Sequence, residues 1–138
     1  MQFVTYKTDS YQIPLYSSKV QAGFPSPADD TIETLLDLNQ YLIQNPSDTF
    51  LVRASGDSMI GAGIFDGDLL IVDRSIQPID DKIVIAAIEG YLTVKRLKIK
   101  KTGLFLVAEN KGFPNIKVNS ETGIYIWGVV TQVIRSLR

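Results

Sequence analysis

The 138-residue chain contains neither histidine nor cysteine. Without histidine a Ser-His-Asp triad is impossible, and without either residue a cysteine nucleophile and the usual zinc sites are excluded as well. There is also no disulfide framework that would indicate secretion. A nucleophilic serine in this chain must therefore find its base in a lysine or a carboxylate.

The chain also lacks a basic excess and a long apolar run. The sequence contains fourteen Lys and Arg residues and fifteen Asp and Glu residues, so its formal net charge is -1. The absence of a basic excess argues against direct sequence-specific DNA binding. No apolar run approaches the roughly 18 to 20 residues that cross a bilayer, and the N-terminus has no charged-then-apolar export pattern. We therefore expect a cytoplasmic protein with no membrane contact.

The first 30 residues predict an extended, accessible N-terminal arm. Pro14, Pro25 and Pro27 interrupt any regular element there, because the residue before a proline avoids helical geometry. We expect residues 1–30 to form this arm and residues 31–138 to form a β-rich domain that begins with a short helix.

The short helix is predicted from a capping box followed by an apolar stripe. Asp30-Thr31-Ile32-Glu33 has the spacing of a capping box. The stripe has helical period and consists of Ile32, Leu35, Leu36, Leu42 and Ile43. Because Pro46 disfavours helical geometry at Asn45, we expect the helix to end there.

Beyond residue 49 the pattern changes to short β-branched and aromatic runs separated by glycine and proline. These runs predict strands at residues 50–53, 68–73, 82–88, 91–99, 104–108 and 124–134. Six or seven short strands with hairpin-like spacing indicate a mostly β fold with a compact body.

Lys95 lies in the fourth of these predicted strands, on its more apolar face. Side chains alternate between the faces of a strand, so Lys95 and Leu97 share one face. Arg96, Lys98 and Lys100 share the other, where we expect them to be solvated. A lysine on a core-facing row must be paired, neutral or at the rim of a pocket.

Ser58 lies in a loop that contains Gly56, Gly61 and Gly63. Glycine permits unusual turns and the close approach of another chain, so such a loop can hold a hydroxyl within reach of a substrate backbone. Taken alone, however, the loop is more typical of a turn between two strands with a solvated serine.

Three elements in a fixed order resemble the LexA/UmuD family of self-cleaving serine-lysine proteins (peptidase S24). They are Ala22-Gly23, Ser55-Gly56-Asp57-Ser58-Met59 with the glycines that follow, and Thr93-Val94-Lys95-Arg96-Leu97. The resemblance covers roughly residues 20–138. The region before the serine motif is too short for the winged helix-turn-helix domain of LexA, so the UmuD-like branch of the family is expected.

The resemblance implies a LexA C-terminal-like β fold in which Ser58 is the nucleophile, Lys95 is the general base and Ala22-Gly23 is the cut bond. The chemistry is consistent with this, because removal from water favours an uncharged lysine that can accept the serine proton. No cofactor or metal is implied.

The resemblance also implies a role in SOS mutagenesis. RecA assembled on single-stranded DNA would stimulate the cut, and the trimmed homodimer would join UmuC as a subunit of the error-prone translesion DNA polymerase V. Because the C-terminal strand is also apolar on both faces, we expect the dimer interface to use the part of it around Ile124, Ile126, Trp127, Val129 and Val130. The alternative is that both faces are buried within the monomer.

Two alternatives remain open at this point. The chain could be a non-enzymatic β module that binds a polymerase, with Ser58 and Lys95 vestigial. It could instead be the C-terminal domain of a phage-type repressor without its DNA-binding part, which would also cleave itself but would not bind a polymerase.

Overall fold

The computed structural model describes residues 10–25, 27, 30–119, 121 and 123–137. These residues form nine strands, one α-helix and two short 3-10 segments. The chain divides into a first unit that ends at Gln44 and a second that begins at Asn45. The predicted fold class, mostly β with one short helix, is confirmed.

The first unit contains a two-stranded antiparallel sheet. Strand β1 (Ile13–Tyr16) pairs with strand β2 (Ile32–Leu36), and Pro14 lies opposite Leu35. The prediction that prolines prevent regular structure throughout residues 1–30 was therefore wrong at β1. A two-stranded sheet has only edge strands, and an edge strand tolerates the missing N–H of proline.

The helix α1 (Leu38–Leu42) is shorter than predicted and begins later. Asp37 caps the helix, because its carboxylate accepts a hydrogen bond of 2.9 Å from the backbone N–H of Asn39. The same carboxylate also accepts a hydrogen bond of 2.7 Å from the Ser10 hydroxyl. The predicted capping box is not the start of the helix. Its β-branched Ile32 suits a pleated strand, and β1 provides the strand partner that β2 needs.

The second unit is a seven-stranded antiparallel sheet with the order β3-β4-β9-β5-β6-β7-β8. Its strands are β3 (Thr49–Arg53), β4 (Leu69–Asp73), β5 (Ile83–Ile88), β6 (Tyr91–Lys100), β7 (Gly103–Val107), β8 (Ile116–Val118) and β9 (Ile124–Ile134). The six predicted strands are all present, each within one residue at either end. The short strand β8 was not predicted.

Strand β5 is buried on both faces and separates two apolar clusters. One cluster contains Ile85 together with Met59, Ile64, Leu70 and Val72. The other contains Val84 and Ala86 together with Leu97, Leu106 and Val129. This placement explains why β5 is a continuous apolar run rather than an alternating one.

Strand β9 is paired along both edges, with β4 on one side and β5 on the other. Its exposed aromatic side chains are Tyr125 and Trp127. Because both edges are already paired, a homodimer formed through this strand would have to use side chains rather than strand pairing.

Within the described part of the chain, no helix is long and apolar enough to span a membrane. The same residues contain no group of three or more carboxylates that could hold a metal ion.

Candidate active site

Strand β6 turns Lys95 toward the protein interior. The strand pairs with β5 on one side and β7 on the other, and Lys95 lies opposite Val84. Lys95 is only 9% exposed, and Leu97 on the same face is also buried. The predicted inward orientation of Lys95 is confirmed.

Ser58 and Lys95 meet although 37 positions separate them in the chain. Lys95 Nζ donates a hydrogen bond of 3.0 Å to Ser58 Oγ. It also donates to Thr93 Oγ1 at 2.9 Å and to the carbonyl oxygen of Val94 at 3.1 Å. All three acceptors are uncharged, so among the described residues no carboxylate hydrogen-bonds the ammonium.

Burial lowers the pKa of Lys95 below its ordinary value of 10.5, because removal from water penalises the charged form. Since no carboxylate in the described part of the chain is hydrogen-bonded to Lys95, none of these groups opposes the shift through an ion pair. An uncharged Lys95 amine has a lone pair, and Ser58 Oγ is close enough to donate its proton to it. The pair therefore has the geometry of a nucleophile and its base.

A short segment after β7 holds the Ser58 loop. The backbone N–H of Glu109 donates to the carbonyl oxygen of Ser58 at 2.8 Å, and the N–H of Gly61 donates to the carbonyl oxygen of Glu109 at 2.8 Å. Asn110 Nδ2 donates to the carbonyl oxygen of Asp57 at 2.9 Å. A Cβ at Gly61 would lie 2.6 Å from the carbonyl oxygen of Glu109, so this contact requires glycine.

Arg96 anchors the same segment from β6. Its guanidinium pairs with the Glu109 carboxylate and donates to the carbonyl oxygen of Asp81 at 2.7 Å. The prediction that Arg96 is solvated was wrong, since its side chain is only 24% exposed. Lys98 is half-buried and pairs with Asp81, whereas Lys100 is exposed as predicted.

The far end of the loop is fixed by an ion pair between Asp68 and Arg135. Asp68 is 1% exposed, and its two oxygens accept from Arg135 Nε at 2.7 Å and Nη2 at 2.6 Å. The hydrogen bond from Arg135 lowers the pKa of the Asp68 carboxyl. Arg135 also donates to the carbonyl oxygen of Gly63 at 2.8 Å, and the N–H of Phe65 donates to Asp68 at 2.7 Å.

Beside Ser58 lies a cleft of about 180 Å³. Its apolar lining comes from β3, β4, β5 and β6, including Val52, Leu70, Ile85 and Leu92. The lining is mixed, with the Ser58 hydroxyl beside these apolar side chains, and a cleft of this kind can receive part of an extended peptide.

Ala22 and Gly23 belong to the first unit, in the exposed connection between β1 and β2. Two apolar neighbours, Val20 and Phe24, are 95% and 90% exposed. A Cβ added at Gly23 would meet nothing within 4 Å. The bond is thus accessible in its own unit, as the sequence predicted for this segment.

Sequence reasoning did not identify the residues that hold the Ser58 loop. Glu109, Asn110, Asp68 and Arg135 act through pairs that are distant in the chain, such as Asp68 with Arg135 at a separation of 67 positions. The sequence analysis assigned no role to any of the four.

Known proteins are similar to this chain over most of its length. The Peptidase S24-like family model matches residues 14–131. Protein ImpA of Salmonella typhimurium is 48% identical over 131 residues, which cover 94% of this chain and 88% of ImpA. Protein MucA of Escherichia coli is 41% identical over 122 residues, covering 88% of this chain and 83% of MucA. The LexA repressor of Alcanivorax borkumensis is 39% identical over 118 residues, covering 85% of this chain and 56% of the repressor.

Proposed function

The chain belongs to the Peptidase S24-like family, as its motifs predicted, and we propose that it is a serine endopeptidase that cuts its own Ala22-Gly23 bond with a Ser58-Lys95 dyad. The observation that carries this proposal is the 3.0 Å contact between Ser58 Oγ and Lys95 Nζ in a chain without histidine. The assignment of the cut bond rests on the resemblance of Ala22-Gly23 to the family's cleavage site.

In the first step Ser58 Oγ attacks the carbonyl carbon of Ala22. The Oγ–H proton passes to the uncharged amine of Lys95, and the π electrons of the carbonyl move to its oxygen, which becomes negative. Backbone N–H groups near Ser58 stabilise that oxygen. The product of this step is a tetrahedral intermediate with Lys95 protonated.

The intermediate then breaks at the Ala22-Gly23 bond. Lys95 returns its proton to the nitrogen of Gly23, which leaves as a free amine, and Ala22 remains attached to Ser58 as an ester. A water molecule attacks this ester while Lys95 accepts one of its protons. Lys95 then gives this proton to Ser58 Oγ as the ester bond breaks, which restores the Ser58 hydroxyl and releases the carboxyl group of Ala22, and that group ionises to a carboxylate.

The desolvated position of Lys95 brings this chemistry closer to neutral pH than a solvated lysine would allow. A fully solvated lysine would be almost entirely protonated there and would have no lone pair to offer. Burial lowers the pKa of Lys95, so a larger fraction of the molecules carries the reactive amine. A segment that covers the cleft would exclude more water and favour the uncharged form further.

We place this activity in SOS mutagenesis, in the cytoplasm. The matches to ImpA and MucA span most of both chains and support an UmuD-like role over a repressor role. On this proposal a RecA filament on single-stranded DNA stimulates the cut. The trimmed protein then forms a homodimer that joins a UmuC-type DNA polymerase for translesion synthesis.

The experiment that tests the proposal is an intact-mass measurement of the purified protein over time. We expect a fragment that begins at Gly23, formed faster when RecA, ATP and single-stranded DNA are added. Ser58→Ala and Lys95→Ala should each abolish the fragment while the fold is retained. No fragment under any condition would favour the non-enzymatic β module. Cleavage without capture of UmuC in a pull-down would favour the repressor-type domain.

A further inference from the structure

The peptide group that joins Asp57 to Ser58 is held from its carbonyl side by two donors, the side-chain amide of Asn110 and, at the longer distance of 3.4 Å, the backbone N–H of Ile60. Asn110 Nδ2 lies 2.9 Å from the carbonyl oxygen of Asp57. A carbonyl oxygen can only accept, so the side-chain amide of Asn110 must present its NH₂ group here. In a planar trans peptide the C=O and N–H bonds point in opposite directions. Fixing the carbonyl of Asp57 therefore also fixes the direction of the N–H of Ser58.

That N–H has no acceptor within the described residues. The backbone N–H groups of Asp57 and Ser58 both lack a hydrogen bond to the described chain, although the neighbouring N–H of Gly56 donates to Asp66 Oδ1 at 2.8 Å. Most backbone N–H groups in a folded protein are paired. An oxyanion-stabilising site is built from donors that are not already paired, and the N–H of Ser58 is such a donor within the described chain.

The residue beside Asn110 fixes the next peptide group. The N–H of Glu109 donates to the carbonyl oxygen of Ser58 at 2.8 Å, so two successive peptide groups are held from one segment. The Glu109 carboxylate pairs with Arg96, which directly follows Lys95 in β6. The segment that orients the loop is thus tied to the strand that carries the base.

We propose that Asn110 is a positioning residue that aims the N–H of Ser58 at the oxygen that becomes negative during self-cleavage. The inference rests on the proposed function, in which Ser58 Oγ bonds to the Ala22 carbonyl carbon, its proton goes to Lys95 and the π electrons go to the carbonyl oxygen. The N–H of Ser58 donates to this oxygen without losing its proton. Asn110 does not touch the substrate, and its hydrogen bond also polarises the peptide group, which strengthens the donor.

The test is the first-order rate of appearance of the Gly23 fragment across pH, for the full chain and its variants. Asn110→Ala removes the side-chain donor, and Asn110→Asp removes it at nearly unchanged volume. Asn115→Ala and Asn115→Asp are the matched controls, because Asn115 is exposed and its side chain makes no hydrogen bond to the described chain. Thermal unfolding of each variant reports whether it is folded.

We expect both Asn110 variants to lower the plateau rate by about 10- to 100-fold, since removal of a complete oxyanion donor costs about 100- to 1000-fold. In Asn110→Ala the pH midpoint should stay where it is, because Lys95 is untouched, and both Asn115 controls should keep the original rate. An unchanged plateau rate, or a loss that only follows the unfolded fraction, would overturn the inference. If Ser58→Ala still produced the fragment, the proposed function itself would fail, and this inference with it.

Discussion

Thr93 and Lys95 lie on the same face of strand β6, and the Thr93 hydroxyl oxygen is 2.9 Å from Lys95 Nζ. The two residues are two positions apart, so the strand itself brings them together. Thr93 also lines the cleft beside Ser58. Its hydroxyl can accept from a charged Lys95 or donate to an uncharged one, and it therefore influences both the titration and the orientation of the amine.

We predict that Thr93→Val shifts the pH profile of self-cleavage toward lower pH. The nearly isosteric valine removes an acceptor from the Lys95 ammonium, so the charged form loses stabilisation and the pKa of Lys95 falls further. The plateau rate should drop by about tenfold, because a less well oriented amine loses part of the roughly 100- to 10,000-fold that proton transfer contributes. The measurement is fragment formation against pH. A profile displaced to higher pH would contradict this role of Thr93.

Self-cleavage without RecA should accelerate as pH rises and then level off. Burial lowers the pKa of Lys95 below 10.5, and the uncharged amine is the active form, so the midpoint of the rise should lie below that pH. The chain has no histidine that would impose a rise centred near 6.5. Rates measured from pH 6 to 10.5, with the fold monitored by circular dichroism, check this. A flat or falling profile in folded protein would exclude Lys95 as the base.

Lys95→Met should stabilise the fold at pH 7 while abolishing cleavage. In the native protein the pKa of Lys95 is lower than in the unfolded chain, so the unfolded state binds more protons between those two pKa values. Stability of the unmodified protein therefore rises with pH through that window. We expect the Met variant to unfold a few degrees higher at pH 7, equivalent to about 1 kcal/mol, and the difference to shrink toward pH 10.5. If the difference in unfolding temperature between the Met variant and the unmodified protein grew with pH, the pKa of Lys95 would not be lowered in the native state.

Gly23→Val should block cleavage without affecting the fold. Gly23 is exposed, and an added Cβ would meet nothing within 4 Å in its own unit, so the unfolding temperature should not change. The nucleophile, however, must approach the Ala22 carbonyl to about 3 to 3.5 Å, and a branched side chain beside the bond hinders this. We expect a loss of at least about 100-fold in the fragment rate. Gln21→Val is the control for a branched residue on the other side of Ala22.

Asp68→Asn should destabilise the protein at neutral pH but not in acid. The pKa of Asp68 is held low by Arg135, so the contribution of this ion pair is present above the ordinary carboxyl pKa and is lost as pH falls through the lowered one. Urea midpoints for variant and unmodified protein should therefore differ at pH 7 and converge on acidification. Asp48→Asn, at an exposed site with no side-chain hydrogen bond to the described chain, is the control. A deficit of constant size at all pH values would rule out the ion pair as its cause.

Local pattern was enough to predict the sheet of the second unit but not the small sheet of the first. Strands such as Leu69–Asp73 and Ile83–Ile88 are continuous apolar runs bounded by turn residues, and these features are read from neighbouring positions. Ile32–Leu36 satisfied a helical period as well as a strand. The strand was formed because Ile13–Tyr16, from an earlier part of the first unit, pairs with it. No local sequence pattern reveals that pairing.

In the Ser58-Lys95 site, too, features set by neighbouring residues were predictable and features set by distant partners were not. The inward orientation of Lys95 followed from strand alternation, and the pairing with Ser58 was suggested by motif resemblance. The supports of the loop were not predictable, because Glu109 acts mainly through its backbone and Asn110 through a single hydrogen bond to Asp57 across 53 positions. Neither residue forms a recognisable sequence pattern with its partner.

The position of Ala22-Gly23 between β1 and β2 means that a cut there severs the only covalent link between the two strands. Before the cut, the chain tethers β1 to β2, and the effective concentration across a short tether is about millimolar. Afterwards the pairing becomes bimolecular, and a two-stranded sheet is only marginally stable even when its strands are joined. At cellular dilution the released peptide would diffuse away, which leaves β2 without its strand partner and makes the change irreversible. The cut would then alter the surface of the remaining protein as well as its length.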